Sequence, residues 1–287
     1  MFAQQLVNGL TLGSTYALVA LGFTLVFGIL GMINFAHGEI FMLGAYIALL
    51  LVTMGQFSIF WALIGGMAGA AILGMIIERV SFRPLRKVSI LAPLISTIGL
   101  SIFLRSLAQI IFGAESTRFP VSIKTEFYQF GPFQISLLQI VILAISFALM
   151  ATFQIFIKKT KVGKAMRATS ESLYTAGLLG IPVDRIILLS FAVASALGGV
   201  AGVLLGLNFN AISPLMGKMV GLKGLTIIIL GGMGNITGAM VGGLFLGFVE
   251  VLSVGYLTSS YRDAVAFALM FLVLLIRPTG LFGRIVR

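Results

Sequence analysis

Apolar runs of membrane-spanning length follow one another along almost the whole chain, and this recurrence restricts the fold more than any other feature. A helix needs about 20 apolar residues to cross the hydrocarbon core of a bilayer. Composition agrees: 59% of the 287 residues are hydrophobic and 9% are charged, against about 25% charged in a typical soluble domain. A chain so short of charge presents apolar surface to lipid rather than water. At that span length, residues 1–287 accommodate roughly eight crossings and leave no room for a separate soluble domain. The fold class expected is therefore an all-α integral membrane bundle of about eight or nine transmembrane helices, with broken or re-entrant segments, in one transmembrane domain over residues 1–287.

Hydropathy places the spans at residues 6–30, 40–54, 59–77, 90–112, 137–157 and 186–207. Beyond Lys223 the pattern blurs into apolar stretches at 225–230, 238–257 and 264–276, with a Gly-rich break between the first two. The N-terminus reads as the first membrane helix rather than a cleaved signal, because residues 1–8 carry no Lys or Arg.

Lys and Arg outnumber Asp and Glu by 19 to 8, which in a soluble protein would suggest a nucleic-acid partner. Here the bases fall in short connections between spans, so no nucleic acid is expected and the partner is the bilayer. Arg79, Arg83, Arg86 and Lys87 mark one cytoplasmic segment; Lys158, Lys159, Lys161, Lys164, Arg167 and Arg185 mark a second. Arg277, Arg284 and Arg287 mark the C-terminal tail. In the connection 113–136, Arg118 and Lys124 are balanced by Glu115 and Glu126, which places it outside. Two full crossings before residue 54 put the N-terminus outside; a re-entrant segment near 31–39 reverses that.

Glycines recur within the apolar runs, with Gly-xxx-Gly spacing at Gly198–Gly202 and Gly243–Gly247. Close helix packing inside one bundle is the reading favoured, with a dimer interface as the alternative.

Polar residues interrupt apolar sequence at two places. One is Gly31-Met32-Ile33-Asn34-Phe35-Ala36-His37-Gly38-Glu39; the other is Gly231-Gly232-Met233-Gly234-Asn235-Ile236-Thr237-Gly238. Both contain Gly-Met-x-Asn, and transporters place broken helices at corresponding positions of internal repeats. An internal repeat is one explanation and chance likeness of two short segments is the other. Asn34, His37, Glu39, Asn235 and Thr237 are the candidate pathway residues. A turn or an internal hydrogen bond is the favoured account of His37, while Glu39 is either a helix cap or a group in the pathway. Glu250 lies within an apolar run and is open to pairing with a base. Arg105 is accounted for by snorkelling.

The longest cytoplasmic connection carries a short amphipathic helix. Thr169 or Ser170 can cap it, Leu173, Ala176, Leu178 and Leu179 recur at helical spacing, and Gly180 and Pro182 end it. Docking into a groove on a soluble partner and lying in the headgroup layer are both open. The chain lacks Gly-x-x-x-x-Gly-Lys-[Ser/Thr], so no P-loop binds ATP here. It also lacks cysteine, a histidine cluster and the hydrolase motifs, which argues against an enzyme and against a cofactor.

Four segments taken in order, namely Asn8–Leu18 (Asn8-Gly9-Leu10-Thr11-Leu12-Gly13-Ser14-Thr15-Tyr16-Ala17-Leu18), 31–39, 163–181 and 230–243, are similar to those of the bacterial branched-chain amino acid ABC transporter permeases. The likeness extends to Arg277-Pro278-Thr279-Gly280-Leu281-Phe282-Gly283. It implies an importer subunit of the bacterial inner membrane. Its implied partners are a second homologous permease subunit, two cytoplasmic ATP-binding subunits and an extracytoplasmic solute-binding protein. It also implies that residues 163–181 form the ATPase-coupling element, with Gly163, Arg167, Ala168, Glu171, Ala176 and Gly180 matching the pattern. Urea and short-amide permeases are relatives in the same broad family. An ion-coupled secondary transporter, with Glu39 or Glu250 as the ion site, is the alternative of a different class, and a solute channel comes third.

Overall fold

The computed structural model describes residues 2–89, 91–120, 126–131 and 133–283. Lys124, Arg284 and Arg287, and Ile90 at the start of the fourth expected span, lie outside the described residues. In chain order come α1 (Phe2–Leu30), α2 (His37–Thr53), α3 (Ile59–Ile77), a π turn (Glu78–Phe82), α4 (Arg83–Leu85) and α5 (Leu91–Phe112). A hairpin of β1 (Phe127–Phe130) and β2 (Phe133–Ser136) follows, pairing antiparallel with Phe127 opposite Ser136. Then come α6 (Leu137–Lys159), α7 (Lys161–Glu171), α8 (Leu173–Leu178), α9 (Val183–Phe209), α10 (Met216–Gly231), α11 (Ile236–Tyr256), a 3-10 turn (Ser259–Tyr261) and α12 (Arg262–Ile276).

Counting α3 through α4 and the 3-10 turn with α12 as continuous, seven helical segments are long and apolar enough to cross a membrane, and α2 and α10 are shorter at 17 and 16 residues. The polytopic helical bundle expected from hydropathy is therefore the observed fold. The short hairpin was not foreseen, because its two strands are only four residues each.

Local chemistry sets several helix starts. Ser136 accepts from the Gln139 amide while the Gln139 side chain accepts from the Ser136 amide, a reciprocal cap for α6. Thr160 caps α7 through the Gly163 amide at 3.0 Å. Ser172 caps α8 through the Thr175 amide at 3.1 Å. This corrects the expectation of a cap at Thr169 or Ser170. Those residues lie inside α7, where their hydroxyls donate back to the carbonyls of Ala165 and Arg167.

The N-terminus lies with the hairpin: the Gln4 amide donates to the Gln134 carbonyl, and Gln139 donates to Asn8. Both contacts are at the end of the bundle opposite the base-rich connections. With those connections inside, the N-terminus is outside, and α2 counts as a crossing even though it begins within the bundle.

The packing has the pattern of an inverted repeat. α11 lies against α1 as α3 lies against α9; α10 packs on α1 as α2 packs on α9; and α2 meets α10. The unit α1-break-α2-α3 thus corresponds to α9-break-α10-α11. The break at residues 31–36 is matched by residues 210–215, not by 231–238, so the shared Gly-Met-x-Asn does not mark the repeat. Glycines make the close approaches: a Cβ added at Gly44 would sit 2.6 Å from Gly199 Cα. Gly13 faces Leu244 across α1 and α11 at 2.8 Å in the same sense. Gly198, Gly202, Gly243 and Gly247 all pack on helices of this same chain, as the favoured reading had it.

Candidate functional site

A cleft of about 870 Å³ opens at the cytoplasmic end. One wall is the end of α1 at Thr24, Gly28 and Gly31; another is Met233, Asn235 and Thr237 between α10 and α11. The third is α7 with its exit, through Arg167, Glu171 and Ser172. The structure therefore joins two groups of residues that the sequence treats separately. Asn235 builds its corner, capping α11 through the Gly238 amide at 3.0 Å while its own amide donates to the Phe282 carbonyl at 2.8 Å.

Within residues 163–181 the candidate positions divide by job. Gly163 packs on the backbone of Phe156 and Ile157, where a side chain has no room. Ala176 is buried. Gly180 has φ +79°, a left-handed conformation that glycine adopts without strain. Ala168 is half-buried. Arg167 donates to the Lys158 carbonyl, and Glu171 is exposed. The surface offered outward is apolar: Tyr174 is 76% exposed, Leu178 71% and Leu179 74%. Tyr174 was missed, and Leu178 and Leu179 turn away from the face that Ala176 buries. The apolar spacing was the right signal for the helix but did not say which residues face out.

Asn34, His37 and Glu39 line none of the described cavities. The Asn34 side chain accepts from the Ala36 amide at 3.1 Å, closing its own turn. His37 begins α2 and is buried edge-on against Phe23, with ring centroids 4.6 Å apart. It directly follows the turn at Phe35–Ala36 as the first residue of α2, and neither of its nitrogens has a hydrogen-bond partner among the described residues, so the internal hydrogen bond is not made. Glu39 accepts from Ser101 at 2.9 Å and faces Arg105 Nε at 3.6 Å. Its role is an interhelical pair between α2 and α5 rather than a helix cap. Arg105 accordingly points inward, which corrects the snorkelling reading. A charged group in the bundle gains more from a buried counter-ion than from reaching for the interface.

Two further ion clusters complete the picture, and in the second Glu250 does pair with bases, as the sequence left open. At the cytoplasmic end, Arg86 pairs with Asp184 and stands 3.8 Å from the buried Glu78, while Arg83 reaches Asp184 at 3.2 Å. This ties the π turn after α3 to the start of α9. Towards the external end, Glu250 of α11 is fully buried and its Oε1 accepts from Lys223 at 2.6 Å, Tyr16 at 3.3 Å and Arg262. Lys223 also meets Asp263 at 2.8 Å. Four helices, α1, α10, α11 and α12, are thereby tied to one carboxylate.

Residues 5–274 match the family model described as the branched-chain amino acid transport system / permease component. The chain belongs to that family. Its relatives include the high-affinity branched-chain amino acid transport system permease protein LivH of Escherichia coli strain K12, 44% identical over 99% of this chain and 96% of the relative. Permease protein BraD of Pseudomonas aeruginosa is also 44% identical over the same shares. A probable branched-chain permease of Methanocaldococcus jannaschii is 30% identical over 93% of this chain and 88% of its own length. A chain in the solved structure of PsaBC from Streptococcus pneumoniae in complex with Fab shares the fold, with TM-score 0.51 and 14% identity, over 95% of this chain and 91% of that one. The chain is thus a multi-pass permease component, and the family favours this over a secondary transporter or channel.

Proposed function

We propose that residues 1–287 act as one membrane-spanning permease subunit of a bacterial inner-membrane ABC importer for branched-chain amino acids. The chain binds no cofactor; ATP is held by two partner subunits on the cytoplasmic face. A second homologous permease subunit completes the pathway, and an extracytoplasmic binding protein delivers the substrate.

One observation carries the mechanical part: α7 and α8 share a cleft with the break between α10 and α11. A partner that seats on Tyr174, Leu178 and Leu179 pushes on α7, which packs on α1 and stands across the cleft from the corner built by Asn235 and Thr237. Energy from ATP hydrolysis then reaches the helix breaks through one rigid lever. Gly163, Ala168, Ala176 and Gly180 shape this lever. Arg167 and Glu171 supply its polar edge. Exposed aromatic and aliphatic side chains grouped in this way are the anchors expected of a protein interface.

The test is uptake of radiolabelled leucine, isoleucine and valine in vesicles with and without the ATP-binding subunits. Uptake that depends on ATP and on those subunits is expected. Equal uptake without them refutes the proposal. Urea uptake in the same vesicles separates the amide-permease alternative.

A further inference from the structure

Residues 277–283 carry part of the likeness to the permease family but take no part in the lever of α7 and α8. They lie as a strap across the break between α10 and α11. The last carbonyls of a helix have no partner within it, and the strap meets two of those at the end of α10. The Leu281 amide donates to the Leu230 carbonyl at 2.7 Å, and the Phe282 amide donates to the Gly231 carbonyl at 3.2 Å. The Phe282 carbonyl in turn accepts from the Asn235 side-chain amide at 2.8 Å. Gly280, at φ +79°, lets the strap press on the end of α10, where a side chain would run into the Ile229 carbonyl. The cytoplasmic end of α12 is thereby fastened to the corner of the cleft, which Phe282 and Gly283 also line.

The external end of α12 is fastened too. Arg262, its first residue, donates to Glu250 and to Tyr16, and Asp263 pairs with Lys223 at 2.8 Å. Those partners stand on α11, α1 and α10. Between the two ends little grips the helix. Ala266 is its one buried residue among those described, while Phe271, Leu272, Leu275 and Ile276 are exposed. Apolar contact holds a helix weakly in a bilayer, because lipid tails are as apolar as a neighbouring helix. Directional bonds are thus concentrated at the two ends of a 15-residue helix about 22 Å long. Its own hydrogen-bond ladder keeps that length fixed, so a shift at one end is felt at the other.

We infer that α12 is a tie rod between the two faces of the membrane, and that Asn235, Leu281 and Phe282 are the positioning residues that join it to the cytoplasmic corner. Movement of the corner draws the strap with it and shifts Arg262 and Asp263 against Glu250 and Lys223. The two ends of the bundle then change together. This inference rests on the reading of the chain as part of an ATP-driven importer, and it adds the element that carries the stroke outward.

The test uses the full complex with its ATP-binding subunits, in nanodiscs. The chain has no cysteine, so Tyr261→Cys, in the exposed turn before α12, gives it a single thiol. Its reaction with a maleimide is followed by the mass of this chain, with and without ATP and vanadate. In the complex carrying that change alone, ATP and vanadate should alter the labelling rate. Asn235→Asp keeps the oxygen that caps α11 but has no N–H for the Phe282 carbonyl, and Leu281→Pro removes the amide that meets Leu230. Each should abolish the nucleotide-dependent change at position 261 and lower import per ATP hydrolysed, in complexes that keep their stoichiometry and still hydrolyse ATP. A merely structural strap would lower assembly, hydrolysis and import together and leave the nucleotide-dependent change in the complexes that survive, which overturns the tie rod. No nucleotide-dependent change with the strap intact, while ATP-driven import proceeds, overturns it as well and leaves the importer reading standing. Absence of ATP-dependent import by the wild-type complex overturns that reading itself. If Leu281→Pro does not assemble, Asn235→Asp, which preserves the cap, decides alone.

Discussion

Replacing Glu250 by leucine removes the one acceptor shared by Lys223, Arg262 and Tyr16, and leaves two cations inside the bundle without that counter-ion. Lys223 is 7% exposed and its nearest remaining carboxylate, Asp263, is 44% exposed, so water partly screens the replacement pair. Breaking a buried ion pair from one side costs about 3–5 kcal/mol, which shifts the folded-to-unfolded ratio by roughly 100-fold or more. Asp263→Asn removes only the half-exposed partner, for which about 0–1 kcal/mol is the ordinary scale. The ordering is therefore asymmetric: a large loss at Glu250 and a small one at Asp263, although both contact Lys223. A triple variant, Glu250→Leu with Lys223→Met and Arg262→Met, should recover much of the loss, because replacing a whole buried ion group by apolar residues is often neutral. The assay is unfolding of the purified protein in detergent, by heat or SDS titration, with folded fraction read from tryptophan fluorescence. Equal losses at Glu250 and Asp263, or a triple variant no better than Glu250→Leu alone, would refute the account of Glu250 as the hub.

Other expectations follow from the same geometry. Tyr174→Ala together with Leu178→Ala should weaken co-purification with the ATP-binding subunits and lower uptake while leaving the melting temperature within a degree or two of wild type, since both side chains are exposed; a matching fall in melting temperature would show that they pack instead. Gly13→Ala sets a Cβ 2.8 Å from Leu244 Cα and should cost about 1–3 kcal/mol, whereas Gly99→Ala meets nothing within 4 Å and should be tolerated; the two are compared by thermal unfolding. Gly180→Ala forces a side chain into the left-handed region, at about 1–2 kcal/mol, and should raise proteolysis between α8 and α9. Arg86→Ala should destabilise more than Arg83→Ala, because Arg86 is buried beside Glu78 while Arg83 is largely exposed; the reverse order in unfolding experiments would contradict the cluster described.

Much of the architecture was legible before any packing was seen. Residues 59–77 were delimited as they are observed, and five other spans fell within a few residues, because hydropathy is a local property of the chain. The region after Lys223 blurred for a physical reason. Lys218, Lys223, Arg262 and Asp263 lower the local hydropathy of α10 and α12, and the partners that make Lys223 and Arg262 tolerable are distant in sequence. Glu39 was singled out, but its partner Arg105 was read as pointing the other way, since a pair 66 residues apart leaves no periodic trace. The repeat was suspected from a shared Gly-Met-x-Asn and lies elsewhere. What relates 31–36 to 210–215 is backbone path and helix packing, not side-chain identity.

The sequence by itself determined that this chain lives in a membrane, that its base-rich connections face one side, and that it resembles an importer's permease. Each follows from composition and short-range order. Only the tertiary structure decided which buried charges neutralise one another, which residues of the cytoplasmic element face outward, and that this element shares a cleft with a helix break. Those depend on contacts between helices far apart in the chain, and the low dielectric between the helices is what makes each such contact matter.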